Sequence, residues 1–508
     1  MSMETVSTVG LKGLEGYRIQ AEVQIRAGLP SMVIVGLPDK SIKESRERIL
    51  TVLRDAESSI TTQKIVVNLS PSEQKKNSTL LDFAIAVGIL KESHLIKKEL
   101  DPNAAFLGAL SLDGSLLGTD DLLPTILAAK SLGIKKLYLP YDPNIPLELM
   151  EELELVFFKN LFHAIAYFNG KNTNLEISPK KAKIMNSTFA WQNDFSHIFG
   201  QEQAKRALEI AAAGEHNVLL TGPPGCGKSI LAEAFPTILP PLSKESLLEV
   251  MSLYQLAGEK HAIPCTPPFR SPHHSSSSTS LIGGGSFPKP GEISLSHKGV
   301  LFLDEMAEFP KKTLEMLRQP MESGKVTISR VQSKVTYPSS FILIGATNPC
   351  PCGYLGSIHY YCTCSPRQIK NYQNKISGPV HDRLDIFLHL HSMKLDQVNR
   401  KSETSESIRR RVQLAREKQY NRYQMVWTNG KVPIEKLLRT SPLSQEQERR
   451  LLSLSIKLHW SNRVQLKIIR LARTISDLEN QHRISDESID EAIQLRSGSW
   501  FEGIGVKK

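Results

Sequence analysis

Residues Gly222-Pro-Pro-Gly-Cys-Gly-Lys-Ser229 limit the possible folds more than any other part of the chain. They follow a short apolar run, Asn217-Val218-Leu219-Leu220, and precede a helix-compatible stretch, Ile230–Phe235. A strand, a glycine-rich turn and a helix in that order form a phosphate loop. Gly222, Pro223, Pro224, Gly225, Cys226 and Gly227 make up the ATP-binding turn. Its glycines let the backbone curl so that N–H groups converge with a helix N-terminus on phosphate. Lys228 then reaches the β- and γ-phosphates, and the Ser229 hydroxyl is suited to Mg²⁺. ATP and Mg²⁺ are the expected cofactors, on an α/β core.

Three later segments complete this chemistry. Val300-Leu301-Phe302-Leu303 is an apolar strand running into Asp304-Glu305. A carboxylate at Asp304 suits a hard cation, and Glu305 is positioned as general base for the attacking water. A third strand, Phe341–Ala346, ends in Thr347-Asn348, whose amide either orients that water or simply caps a loop. Arg383, within Ser377–Asp385, resembles an arginine finger completing a neighbouring subunit's site; alone it would read as a surface salt-bridge residue.

The sequence resembles the ComM/YifB family of magnesium-chelatase-like AAA+ ATPases over nearly its whole length. The segments carrying the likeness are Phe269–His274, Gly283–Gly285, Lys289–Ile293, Gly345–Gly353, Ser377–Asp385 and Arg473–Leu478. The resemblance implies a homo-hexameric ring pumping single-stranded or branched DNA without sequence preference. The family's role is branch migration during recombination of incoming DNA in natural transformation, with recombination proteins as candidate partners. It also implies that Arg463 contacts nucleotide in its own subunit. Lys228 and Asp304 lie 76 residues apart, more than a minimal strand–helix–strand passage needs. The surplus includes His261–Gly291, which the resemblance makes a pore-facing insertion carrying Arg270 and Lys289. A second pore element is the hairpin-like Lys325–Val335, with Val326, Ile328, Val331 and Val335 flanking a turn that lifts Arg330 and Lys334 outward. Such cations grip phosphate without reading bases, unless they are ordinary solvated charges.

Cys350-Pro-Cys352 and Cys362-Thr-Cys364 suggest structural Zn²⁺, although one-residue spacing is tighter than the usual two to four. His359 is a substitute ligand, and four reduced thiols bracing the loop beside Asn348 are the competing reading. None of the six cysteines precedes Cys226, and the clustering favours metal over disulfides.

The expected architecture is multidomain α/β. Residues 1–172 form an α+β domain, 173–194 a polar linker, 195–392 the AAA+ core, and 393–508 a basic helical lid. In the first, Tyr17, Ile19, Ala21, Val23 and Ile25 alternate as in a half-buried strand, Asp39 caps a helix through Asp55, and Thr79–Leu90 reads as a buried helix. This domain is similar to the Lon protease domain, of ribosomal protein S5 domain 2-like fold, through Leu107–Gly114 and Ile134–Pro140. Ser78 matches the nucleophile poorly and Thr125 stands where the activating lysine belongs, so a non-proteolytic collar, DNA guide or oligomerisation platform is expected. In the lid, Ile408, Val412 and Ala415 share a helix face, while Arg409-Arg410-Arg411 reads as a solvated one.

A chain of 508 residues allows two to four domains. Its net charge of +11 favours an anionic partner. The apolar run Leu80–Leu90 is half a membrane span and contains Asp82. Met1–Leu14 lacks a secretory pattern, so a cytoplasmic protein without membrane contact is expected. Two other activities share the ATPase module: the motor of a metal chelatase, and, least favoured, a Lon-type protease.

Overall fold

The computed structural model describes residues 4–36, 40–57, 60–74, 76, 78–143, 145–150, 152–171, 193–259, 266–285, 288–330, 333–357, 360–391 and 402–497. Asp39, Val331, His359, the segment 261–265 and nearly all of the expected linker lie outside them. The chain divides into two compact units. One comprises Met1–Asn186, Lys244–Ile263 and Ser329–Thr336; the other comprises Ser187–Ser243, Pro264–Ile328 and Tyr337–Lys508.

In the first unit, the alternating segment is the strand Glu15–Arg26, with Ile19, Ala21 and Val23 fully buried. It pairs antiparallel with Glu4–Lys12 and Lys64–Ser70, and Ser31–Val35 joins the latter in parallel. A second, parallel sheet holds Ala104–Phe106, Lys136–Pro140 and Glu154–Phe158. The helix expected from Thr79 begins at Asp82, after a 3-10 turn capped by Ser78. Asp82 is buried there and bonded to Arg48 at 2.9 Å.

The helix Lys244–Ala257 lies far away in sequence yet shares this unit's apolar cluster. Leu248 packs with Val9, Leu80, Leu122, Leu123 and Ile126, and Met251 lies against the same group. Part of the surplus between Lys228 and Asp304 therefore supplies a packing element, which spacing alone did not indicate.

The second unit is built on a five-stranded sheet in the order Phe269–Arg270, Val300–Leu303, Ile342–Thr347, Val218–Thr221, Ile386–His389. Every adjacent pair is parallel. The three inner strands are buried throughout, as expected for continuous apolar runs covered on both faces. Helices Glu202–Gly214, Ser405–Tyr423 and Asn462–Leu478 contribute Leu208, Val412 and Leu471 to one hydrophobic core with that sheet. Ile408, Val412 and Ala415 do share a buried face. The arginine run among them is not simply solvated: Arg411 pairs with Glu209 at 2.5 Å and also with Glu403, and Arg409 reaches the Thr237 carbonyl. Among the described residues no helix is long and apolar enough to cross a membrane.

Candidate active site

Parallel register brings the separate motifs to one edge. Thr221 lies opposite Thr347 and Leu303 opposite Gly345, so Gly222, Asp304 and Asn348 leave adjacent strands at their carboxyl ends. Open α/β sheets bind ligands at that edge.

Gly225 and Gly227 adopt φ of +76° and +94°, where a side chain is strained even though an added Cβ would meet nothing within 4 Å. This leaves a backbone cradle of the kind a phosphate chain requires. Lys228 Nζ donates to the carbonyls of Gly222 and Pro223 at 2.8 and 2.9 Å, and to Asn348 Oδ1 at 3.1 Å. Burial draws its pKa below the usual lysine range, opposed by Cys226, Asp304 and Glu305. Ser229 Oγ donates to Asp304 Oδ2 at 3.0 Å, so a hydroxyl and a carboxylate suited to one hard cation are already adjacent. Asp304 Oδ1 accepts the Glu305 N–H at 2.9 Å. Glu305 has φ +48°, and its carboxylate lies 3.4 Å from His274 Nδ1. A left-handed non-glycine residue costs on the order of 1 kcal/mol, and Glu305 bears it directly beside Asp304.

Lys228–Asn348 and Ser229–Asp304 thus form two hydrogen-bonded pairs at this edge, with the Glu305 N–H attached to the second. Arg383 and Arg463 form no hydrogen bond to either pair among the described residues. The Arg383 guanidinium is engaged by Glu322 at 2.5 Å and by the carbonyls of Arg318 and Pro379. Arg463 is exposed in the first turn of Asn462–Leu478.

Several supporting residues had no local signal in the sequence. Asn217 donates to the Arg383 carbonyl at 3.1 Å and accepts the Leu343 N–H at 2.9 Å, while its own N–H meets Asp385. Lys467 reaches Asp385 Oδ1 at 2.7 Å. Burial opposes ionisation of Asp385, but Lys467, His216 and the Asn217 N–H bring its pKa down to about 2. His216 is fully buried against Thr474 at 2.9 Å, and burial lowers it to about 4.

The four cysteine sulfurs lie within 4.8 Å of one another. Cys350 and Cys352 are 3.3 Å apart, and Cys362 is 3.7 and 3.6 Å from them. A tetrahedral site with bonds of about 2.3 Å needs sulfur–sulfur edges of roughly 3.8 Å, so four thiolates fit one metal ion. The Leu355 N–H points at Cys350 Sγ. Gly353, with φ +84°, brings this loop against the phosphate loop: an added Cβ would lie 2.8 Å from Pro224 Cδ and 3.9 Å from Asn348.

The expected pore cations differ in placement. Arg270 belongs to the edge strand of the core sheet rather than to a free loop, and its guanidinium meets Glu292 at 2.6 and 2.8 Å. The expectation of a free cation fails there because a residue 22 positions away neutralises it. Lys289 is exposed on a short strand pairing with Gly283–Gly284. Lys325–Arg330 and Ser333–Pro338 form the expected two-stranded hairpin, with Val326, Ile328 and Val335 buried and Arg330 and Lys334 exposed. In the first unit, Ser78 Oγ donates to Asp121 at 2.7 Å, and Thr125, buried, bonds the Asp121 carbonyl at 2.6 Å.

Comparison with known proteins adds a consistent pattern. Residues 194–398 match the family described as magnesium chelatase, subunit ChlI; residues 21–143 match subunit ChlI of Mg-chelatase; and residues 402–496 match its C-terminal region. The chain is 36% identical to the uncharacterized protein YifB of Escherichia coli, covering 98% of this chain and 97% of that one. It is 34% identical to the competence protein ComM of Haemophilus influenzae, covering 98% of each. A magnesium-chelatase 67 kDa subunit of Chlorobaculum parvum matches at 27% over 30% of this chain and 23% of its own length.

Proposed function

The chain belongs to the YifB/ComM family of magnesium-chelatase-like AAA+ proteins, and on that basis we propose that it is an ATP-driven hexameric DNA motor promoting branch migration during recombination of incoming DNA. The observation carrying the ATPase part is that two hydrogen-bonded pairs, Lys228–Asn348 and Ser229–Asp304, meet at the carboxyl edge of a parallel sheet. The competence name of the Haemophilus relative supports DNA as partner.

In this reading, Lys228 and the N–H groups of the loop bind the phosphates. Ser229 and Asp304 hold Mg²⁺, which neutralises phosphate charge when bound. Glu305 polarises the attacking water and accepts its proton, released from His274; Asn348 orients the same water. Arg383 serves a neighbouring subunit, and Arg463 serves its own. Lys289, Arg330 and Lys334 contact DNA backbone, with Arg270 contributing only if Glu292 lets go. The four cysteines hold a structural Zn²⁺. Residues 1–172 act as a non-proteolytic Lon-like module, 195–392 as the motor core and 393–508 as its lid. Ser78 donates to the Asp121 carboxylate, a weaker base than the lysine amine of a Ser–Lys dyad, which argues against proteolysis.

The short Chlorobaculum match supports a second reading, the motor of a metal-inserting complex. ATP turnover with and without single-stranded DNA, combined with strand displacement on forked and three-strand DNA, separates the two. DNA-stimulated hydrolysis with ATP-dependent displacement is expected. Hydrolysis indifferent to DNA, with no displacement, rules out the DNA motor.

A further inference from the structure

We propose that the four-cysteine loop and the helix after it form a stacking platform for single-stranded DNA, an assignment that rests on the reading of the chain as a DNA motor. Tyr361 is 96% exposed and Tyr360 is 64% exposed, and no other large apolar side chain among the described residues is as exposed as Tyr361. A lone exposed ring is ordinary, but two adjacent rings form a continuous apolar surface open to a partner.

These rings are held in place. Cys362, the residue after Tyr361, has its sulfur within 3.7 Å of Cys350 and Cys352. The Tyr360 ring lies against Tyr354 with centroids 4.8 Å apart. The Tyr360 ring is thus held by Tyr354, and Tyr361 stands between it and an anchored cysteine with its ring in solvent.

Cations sit alongside. Ser365 starts the helix Pro366–Gln373 with a reciprocal capping box, which fixes its first turns. Arg367 and Lys370, three residues apart and therefore on one side, are exposed and make no ion pair among the described residues. Lys375 does not count, because Glu308 neutralises it at 2.9 Å. Between Glu322 and Asp382 the sequence contains no aspartate or glutamate. A polyanion therefore meets no local repulsion from this stretch of chain.

Aromatic faces beside unpaired cations fit single strands in particular. Unstacked bases lie on the rings whatever their identity, while the guanidinium and ammonium take neighbouring phosphates. From Tyr361 to Arg367 an extended chain covers at most about 20 Å, a span of a few nucleotides.

The test uses the full-length protein and a fluorescent oligo-dT, with anisotropy read over a salt series. Tyr361→Ala and the Tyr360→Ala/Tyr361→Ala pair should weaken binding about tenfold or more and leave the salt slope unchanged. Tyr361→Trp should bind like wild type. Arg367→Ala/Lys370→Ala should flatten the salt slope by roughly 0.7 for each phosphate no longer neutralised. Unchanged metal content and ATP binding in each variant establish that the fold is intact, and the exposure of Tyr361 makes its single variant safe in that respect. Wild-type affinity in Tyr361→Ala overturns the platform alone. Wild-type affinity with loss of oligomer assigns the rings to a second copy of the chain and also overturns it. Failure of the wild-type protein to bind oligo-dT overturns the platform, and the motor reading falls with it only when forked and three-strand DNA also go unbound.

Discussion

Glu305 combines a left-handed backbone, an N–H tied to Asp304 and a carboxylate beside His274. Its proposed work is proton acceptance, so Glu305→Gln should bind ATP normally and hydrolyse it at least about 100-fold more slowly. Turnover and nucleotide affinity measured on one preparation check both halves. His216 illustrates a residue whose environment changes its chemistry. Burial holds its pKa at about 4, against an ordinary histidine value of 6.5. Between those values the unfolded chain binds a proton that the folded chain does not, so stability falls as pH drops. At pH 5 the loss should be about 2 kcal/mol relative to pH 7, using roughly 1.4 kcal/mol per pKa unit. His381, also lowered to about 4 by burial, acts in the same direction, so urea unfolding at both pH values should show at least this loss and His216→Gln should remove about half of the combined slope. Asp385, at about 2, stays ionised across this window and adds nothing to it.

At the scale of elements, the loop following the Ile342–Thr347 strand couples two features usually treated separately. It carries Asn348, then the cysteines, then Gly353 pressed on Pro224. Gly353→Ala adds a methyl group into a rigid proline ring at a positive φ, so the phosphate loop or Asn348 must shift. The expected outcome is about a tenfold drop in ATP turnover with metal content unchanged. The helix Asn462–Leu478 offers a stability counterpart. Asp477 bonds Arg473, fully buried, at 2.9 Å, and also accepts from Arg422 and from Asn429 at 2.9 Å. Asp477→Ala leaves buried arginines unpaired and should cost about 3–5 kcal/mol in denaturant unfolding.

For the whole molecule, the question is whether one chain is a complete enzyme. Within the chain, the Arg383 guanidinium is occupied by Glu322 and two carbonyls and does not bond the Lys228 group. If its target is a neighbouring site, Arg383→Ala should lower turnover by about 10³-fold while ATP still binds. Mixing Arg383→Ala with Glu305→Gln subunits should restore part of the activity, because some interfaces then pair an intact Glu305 with an intact Arg383. Absence of recovery in verified mixed assemblies places the arginine's effect within its own subunit.

The sequence alone determined the local chemistry. Glycines before Lys228, apolar runs ending in Asp304 and in Asn348, and two cysteine pairs are each written in neighbouring residues, because backbone conformation and strand burial act over a few positions. The hairpin around Arg330 was legible for the same reason. Tertiary structure decided what each charge meets and where intervening segments go. Arg270 and Arg411 read as free cations until Glu292 and Glu209 are brought beside them. Lys244–Ala257 has no partner legible in the sequence until Leu248 joins the cluster around Val9 and Leu123. Sequence spacing reports neither, since an arginine has the same composition and period whether solvated or paired, and an amphipathic helix does not name the apolar surface that covers it. The phosphate loop is legible in its own eight residues, but the acid and amide proposed to act with it are brought beside it by the register of a parallel sheet.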